Sequence, residues 1–211
     1  MSALDIDPTP VRPARAAVLW RRFRRNRAAM LGLVLFVAVV LAALLAGVIT
    51  PGDPLRRVAQ PLTVPFTNPA TPLGTDQLGR DILAGILHGA RISLLIGVVA
   101  ALISITIGIL IGAVSGYFGG WVDDLLMRVT EAFQTIPSFV LLLALVAIFG
   151  STIENIVIAI GIVSWTAPAR MVRAEFMSLR QREFVDAARN LGVGHVSIIF
   201  REILPNALPP V

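Results

Sequence analysis

The chain has 211 residues, of which 56% are hydrophobic and only 15% are charged, and its mean hydropathy is +0.81. This composition is too apolar for an ordinary soluble domain and indicates a membrane protein. All eighteen basic residues are arginine and they flank apolar segments, so the net charge of +5 fits membrane topology and anionic lipid better than nucleic acid. The absence of cysteine excludes disulfides and thiol chemistry.

Residues 1–27 form the predicted N-terminal tail, which ends in five arginines within eight residues. Residues 28–49 then contain no charged residue and are long enough to cross about 30 Å of hydrocarbon. Their thirteen Leu, Val, Ile and Phe residues favour insertion by roughly 4–8 kcal/mol. A cleaved signal peptide is disfavoured because the apolar segment is too long.

Residues 50–91 are predicted to form an external loop, because they are polar and rich in proline. The loop contains the sequence GTDQLGRD, in which Asp76 is predicted to cap the following helix through its carboxylate.

Three further apolar segments predict membrane spans, at about residues 92–116, 125–149 and 156–172. Gly108 and Gly112 permit close helix packing, but a lipid-facing position with tolerated glycines stays open. In the third span, Arg128 and Glu131 are spaced to pair, and Pro137 is predicted to bend the helix.

The fourth predicted span is short, and Trp165 and Arg170 are expected to mark its interfacial end. Seven arginines precede the first span and six follow the uncharged part of the fourth. Four spans place both arginine-rich segments on one side, which the positive-inside rule makes the cytoplasm. The sequence therefore predicts an all-α, polytopic protein of the plasma membrane with a cytoplasmic N-terminus.

The segment 173–205 is predicted to be a cytoplasmic helix-turn-helix. Phe184, Ala188 and Leu191 recur at helical spacing, and Gly192 is expected to end the first helix in the left-handed conformation. A second short helix is predicted to end at Pro205. An amphipathic helix on the membrane surface is the alternative that this pattern also permits.

Within this segment, Asp186-Ala187-Ala188, Gly192 and Leu204-Pro205 have the spacing of a known motif. They resemble the "EAA" loop of the membrane subunits of ABC importers, although Asp186 replaces the glutamate of that motif. Glu202 lies at the position where that motif usually has isoleucine. The fuller string EFVDAARNLG…IIFREILPNALPP, together with GTDQLGRD, resembles the dipeptide, oligopeptide and nickel branch, whose members belong to the bacterial inner membrane.

The resemblance implies a permease subunit that works with ABC ATPase subunits, a second homologous permease subunit and an external solute-binding protein. It implies further spans after Val211, and it implies no catalytic residue, metal or cofactor in this chain. The residues expected to couple to the ATPase are Glu183, Asp186, Ala187, Ala188, Leu191, Gly192, His195 and Pro205. The external-loop motif comprises Gly74, Thr75, Asp76, Gly79, Arg80 and Asp81.

Two other function classes are disfavoured by the sequence. An intramembrane enzyme needs a nucleophile, base or metal set, whereas the only histidines, His88 and His195, lie on opposite predicted sides and are expected to be solvated. An ion-coupled carrier or channel needs an ionisable residue near the membrane centre, and the sole candidate, Glu131, lies near a predicted edge. The chain has no lysine, so a lysine-containing phosphate-binding loop is excluded.

Overall fold

The computed structural model describes residue 20 and residues 23–207, so most of the predicted tail lies outside the described residues. The chain divides into two compact units, residues 1–92 and residues 93–211. Among the described residues, three helices are long and apolar enough to cross a membrane, and the number is four if a bent helix pair counts as one span. The predicted all-α, polytopic class is therefore confirmed.

The first unit contains helix α1, Arg27–Leu44, and the short helix α2, Ala46–Ile49. Asn26 caps α1, because its side-chain oxygen accepts a hydrogen bond from the backbone N–H of Ala29 at 3.2 Å. Most side chains of α1 are exposed within the chain, as expected of a helix that faces lipid.

Helix α3, Ile82–Phe118, begins at Ile82 rather than near residue 92 and is 37 residues long. Its start therefore lies within the segment that the sequence assigned to the external loop. At an α-helical rise of 1.5 Å per residue, such a helix is about 55 Å long and exceeds the hydrocarbon thickness.

The third apolar segment is two helices, α4, Gly120–Thr135, and α5, Ser138–Phe149, which meet at an angle of 85°. The break lies at Pro137, which has no backbone N–H to continue the helix. No ion pair joins Arg128 to Glu131 among the described residues, so the predicted pairing was wrong.

Helices α6, Ile153–Ser164, and α7, Thr166–Leu179, together form the last candidate span. Trp165 is only 4% exposed, and its ring contacts Phe133 edge to face with 5.4 Å between ring centroids. Trp165 is therefore packed inside the protein, while its place at the interfacial end of the span stays a prediction.

Helix α3 packs closely against α7 at three glycines of α3, which are Gly108, Gly112 and Gly116. A Cβ atom on Gly108 would lie 2.6 Å from Cβ of Pro168, and one on Gly116 would lie 2.6 Å from Cβ of Phe176. The open question on Gly108 and Gly112 is thus resolved in favour of close helix packing.

The C-terminal end of the described chain consists of α8, Glu183–Asn190, α9, His195–Ser197, a π-helical turn, Ile198–Ile203, and α10, Leu204–Ala207. The backbone N–H of Leu204 donates to the carbonyl of Ile199, five residues earlier, and Pro205 offers no donor to restore the α pattern. The helix nevertheless continues to Ala207, so the predicted end at Pro205 was wrong. We call residues 183–207 the docking segment.

Candidate functional site

The turn in the docking segment is a glycine-terminated helix end. Gly192 has φ +74°, in the left-handed region that favours glycine. Its N–H donates to the carbonyl of Arg189 at 2.9 Å, and the N–H of Val193 donates to that of Ala188 at 3.1 Å. These two bonds define a Schellman motif, which fixes the direction in which the chain leaves α8.

One face of α8 packs on the chain's own core. Val185 and Ala188 are buried, and they belong to a cluster with Ile198, Ile203 and Phe176. Phe176 is fully buried and comes from α7. The docking segment is therefore attached to a candidate membrane span by an apolar core.

The opposite face of the segment presents apolar side chains outward. Leu191 is 83% exposed and Val196 70%, while Phe184 and Phe200 are partly exposed. Two of these side chains, Val196 and Phe200, line a groove. The other residues that line it are Gly194, His195, Ser197 and Arg201. Apolar exposure next to a basic residue is typical of a protein contact surface.

A tyrosine that the sequence did not single out fixes the docking segment to α3. The Tyr117 hydroxyl lies 2.8 Å from Nδ1 of His195, and Tyr117 itself is only 5% exposed. The Arg189 guanidinium lies over the Tyr117 ring at 5.6 Å, a cation–π distance. Arg180 donates a hydrogen bond to the Tyr117 carbonyl at 3.3 Å.

Seven of the eight predicted coupling residues are exposed in the structure and one is not. The exposed ones are Glu183, Asp186, Ala187, Leu191, Gly192, His195 and Pro205. Ala188 is 8% exposed and faces the internal core, so it is not part of an outer surface. His195 is exposed, as expected of a solvated histidine, and it also lies within hydrogen-bonding distance of the Tyr117 hydroxyl.

The external-loop motif forms a second site in the first unit. Gly74 and Gly79 both have positive φ, +78° and +74°. The Thr75 hydroxyl donates to the Gln60 carbonyl at 2.6 Å and accepts from the N–H of Thr63 at 2.9 Å. The backbone of Arg80 forms an isolated antiparallel β-bridge with the backbone of Arg57. These contacts fold the loop back on itself.

The two aspartates of the motif have different roles. Asp76 Oδ1 accepts from the backbone N–H groups of Leu78 and Arg80, at 2.8 and 2.9 Å, and so closes a turn. Asp81 Oδ1 accepts from the N–H of Leu83 at 2.9 Å, at the start of α3. The predicted helix cap at Asp76 was therefore wrong, and Asp81 is the cap.

The stability of the turn that Asp76 closes is expected to depend on pH, because the ionised carboxylate accepts the hydrogen bonds. The N–H of Arg80 is the main cause that holds the pKa of Asp76 below its ordinary value, and desolvation opposes it. A lowered folded-state pKa stabilises the turn above the unfolded-state pKa, and this stability is lost as pH falls through the folded value.

We expect Asp76→Ala to loosen the loop, because two backbone N–H groups lose their acceptor. Trypsin should then cleave more easily after the already exposed Arg56 and Arg57, since cleavage needs a locally unfolded backbone. Cleavage should become several-fold faster in the purified full protein at neutral pH. Asp76→Asn is the graded variant, because it keeps the side-chain oxygen but not the charge, and it should be cleaved at a rate between those of Asp76→Ala and wild type. Equal cleavage of all three proteins would show that this turn does not hold the loop.

Two family models match the chain. Residues 104–211 match the binding-protein-dependent transport system inner membrane component, a range that includes α4 to α10. Residues 15–72 match the N-terminal transmembrane domain of oligopeptide transport permease C.

Curated relatives agree with these matches. The chain is 36% identical to the dipeptide transport system permease protein DppC of Haemophilus influenzae, over 91% of this chain and 67% of that protein. It is 38% identical to the di/tripeptide transport system permease protein DppC of Pseudomonas aeruginosa, over 97% and 69%. The glutathione transport system permease protein GsiD of Escherichia coli is 37% identical, over 91% and 63%.

The chain thus spans about two thirds of the length of these relatives. The family indicated by the EAA-like loop is confirmed by a match that contains the whole docking segment. The chain belongs to the family of inner membrane components of binding-protein-dependent transport systems, and it is a multi-pass permease subunit.

Proposed function

We propose that this permease subunit imports short peptides and is driven by ATPase subunits that bind the docking segment. The names of its relatives support the substrate class, since they transport dipeptides, tripeptides or glutathione. Its partners are two ABC ATPase subunits, a second homologous permease subunit and an external solute-binding protein. The chain itself hydrolyses no ATP.

The observation that carries this proposal is the two-faced docking segment. Its inner face is fixed to α3 and α7 through Tyr117 and Phe176. Its outer face leaves Leu191 and Val196 uncovered on a turn of fixed geometry. Closure of the ATPase subunits displaces the segment, and the attached helices rotate with it between outward-open and inward-open states.

The arginine distribution supports the sidedness of this mechanism. The seven arginines of the N-terminal tail and the six after residue 169 favour the cytoplasmic side, where the ATPase subunits operate. The loop with GTDQLGRD then faces outward in the bacterial inner membrane. This arrangement puts the N-terminus in the cytoplasm.

Ala187→Arg tests the ATPase contact, because Ala187 is exposed on α8. The long, charged arginine side chain should push the docking segment and the ATPase surface apart. We therefore expect the amount of ATPase subunit recovered in a pull-down from detergent to fall at least tenfold. Ala187→Ser is the control and should recover them normally. Normal recovery with Ala187→Arg would instead favour a helix that lies on the membrane surface.

A further inference from the structure

A partly buried ion pair joins α4 to α7 beside the docking segment, and its Arg173 side chain is 31% exposed. Asp123 lies in the first turn of α4, and its side chain is only 10% exposed. Arg173 of α7 binds it through two hydrogen bonds, from Nε to Oδ1 at 2.5 Å and from Nη2 to Oδ2 at 2.6 Å. A bidentate arginine–carboxylate pair fixes orientation as well as distance.

The same carboxylate also binds α3. The hydroxyl of Ser115, which is completely buried, donates to Asp123 Oδ1. Gly116, the next residue, is where α3 meets α7 with no room for a Cβ atom. Asp123 therefore connects three helices at the point where the docking segment is also attached through Tyr117 and Phe176.

Helix α4 has few other attachments. In the described part of the chain it buries only Asp123 and Thr130, and the Thr130 hydroxyl donates to the carbonyl of Leu126 within α4 itself. At its far end, Phe133 contacts Trp165. After the 85° bend, α5 has no buried residue. The far end of α5 is held to α6, where Asn155 Nδ2 donates to the carbonyl of Phe149 at 2.5 Å. The ion pair is thus the polar tether at the α4 end of the α4–α5 arm.

We propose that Asp123 and Arg173 are positioning residues that make the α4–α5 arm follow the docking segment during transport. The proposal rests on the proposed function, since it needs an ATP-driven displacement of the docking segment. Arg173 and Phe176 lie on the same helix, three residues apart, so a displacement received at Phe176 reaches Asp123 through one rigid element. The two-bond geometry transmits rotation, which a single apolar contact does not.

Loss of one partner leaves a buried charge unpaired and can disturb folding. The decisive variant is therefore the double neutral one, Asp123→Asn with Arg173→Gln, which removes both charges and keeps polar groups of similar size. Arg173→Lys is the graded variant, because it keeps the charge but not the planar pair of donors.

The full protein is reconstituted with its ATPase subunits and its binding protein. We expect the double variant to assemble and to hydrolyse ATP like wild type, whereas peptide uptake per ATP falls at least tenfold. Arg173→Lys should lie between the two. Spin labels at Phe139→Cys on α5 and Leu191→Cys on the docking segment should give one narrow distance distribution in the wild-type background and a broadened one in the double variant.

Wild-type uptake per ATP and an unchanged label distribution in the double variant would overturn the positioning role. Failure of the double variant to assemble would overturn it too, in favour of a purely structural pair. If the wild-type complex itself shows no ATP-driven uptake, the proposed function fails instead. The label distributions then still decide whether the pair tethers the arm.

Discussion

Replacing Gly192 by valine is expected to uncouple ATP hydrolysis from peptide uptake while the protein still inserts into the membrane. No atom lies within 4 Å of a Cβ built at Gly192, so the substitution causes no steric clash. Its cost is backbone strain at φ +74°, about 1–3 kcal/mol for a residue other than glycine and near the top of that range for a β-branched one.

That strain is released when the turn after α8 unwinds and the direction of Leu191 changes. Since 1.4 kcal/mol is a factor of ten in an equilibrium, strain near 3 kcal/mol favours the unwound turn by roughly a hundredfold, and we expect uptake per ATP to fall at least tenfold. The measurement is ATP hydrolysis and peptide uptake by the complex in vesicles.

An ion gradient without ATPase subunits should drive no uptake in any variant, whereas ion-driven uptake would favour the carrier alternative.

The chain offers two controls for this substitution. Gly192→Asn places a residue that tolerates the left-handed conformation at the same site, so coupling should be nearly retained. Gly194→Val places the same valine two residues later, where φ is −66° and no atom lies within 4 Å. Coupled transport by Gly192→Val at the wild-type level would contradict the role of this turn.

Replacing Phe176 by alanine is expected to cause the largest loss of stability in this part of the chain. Phe176 is fully buried where α7, α3 and the docking segment meet, and truncation leaves a cavity. Such substitutions cost about 3–5 kcal/mol. We therefore expect a clearly lower midpoint of thermal unfolding in detergent, and loss of ATPase binding because the docking segment detaches.

Phe184→Ala is the matched contrast, because Phe184 lies on α8 and is 38% exposed. Its removal should leave the midpoint of unfolding unchanged within a degree or two and weaken ATPase binding alone. If Phe176→Ala unfolded at the wild-type temperature, the proposed attachment of the docking segment to α7 would be wrong.

Much of the fold could be predicted from the sequence because its signals are local. Uninterrupted apolar segments predict spans, Pro137 predicts a break and Gly192 predicts a left-handed helix end. Which face of α8 is buried could not be predicted from the sequence of α8 alone. Phe184 and Leu191 are more apolar than Ala188, yet Ala188 is buried, because Ile198 and Ile203 happen to pack there.

The long-range contacts that hold the site together were missed for the same reason. Tyr117 and His195 are 78 positions apart, and Asp123 and Arg173 are 50 apart, so no periodicity within one segment relates them. Asp123 lies between the predicted spans at about 92–116 and 125–149, so it was not assigned to a helix. The short-range signal was the pair Gly119-Gly120 at the start of α4, which indicates a tight junction but not the residue that packs against it.

The cytoplasmic position of the docking segment is tested most directly by thiol labelling, because the chain contains no cysteine and each variant carries one reporter. Leu191→Cys and Phe66→Cys are suitable, since these side chains are 83% and 85% exposed. With a membrane-impermeant maleimide, we expect Phe66→Cys to react in intact spheroplasts and Leu191→Cys to react only after lysis. Labelling of Leu191→Cys in intact spheroplasts would contradict an ATPase-docking role for this segment.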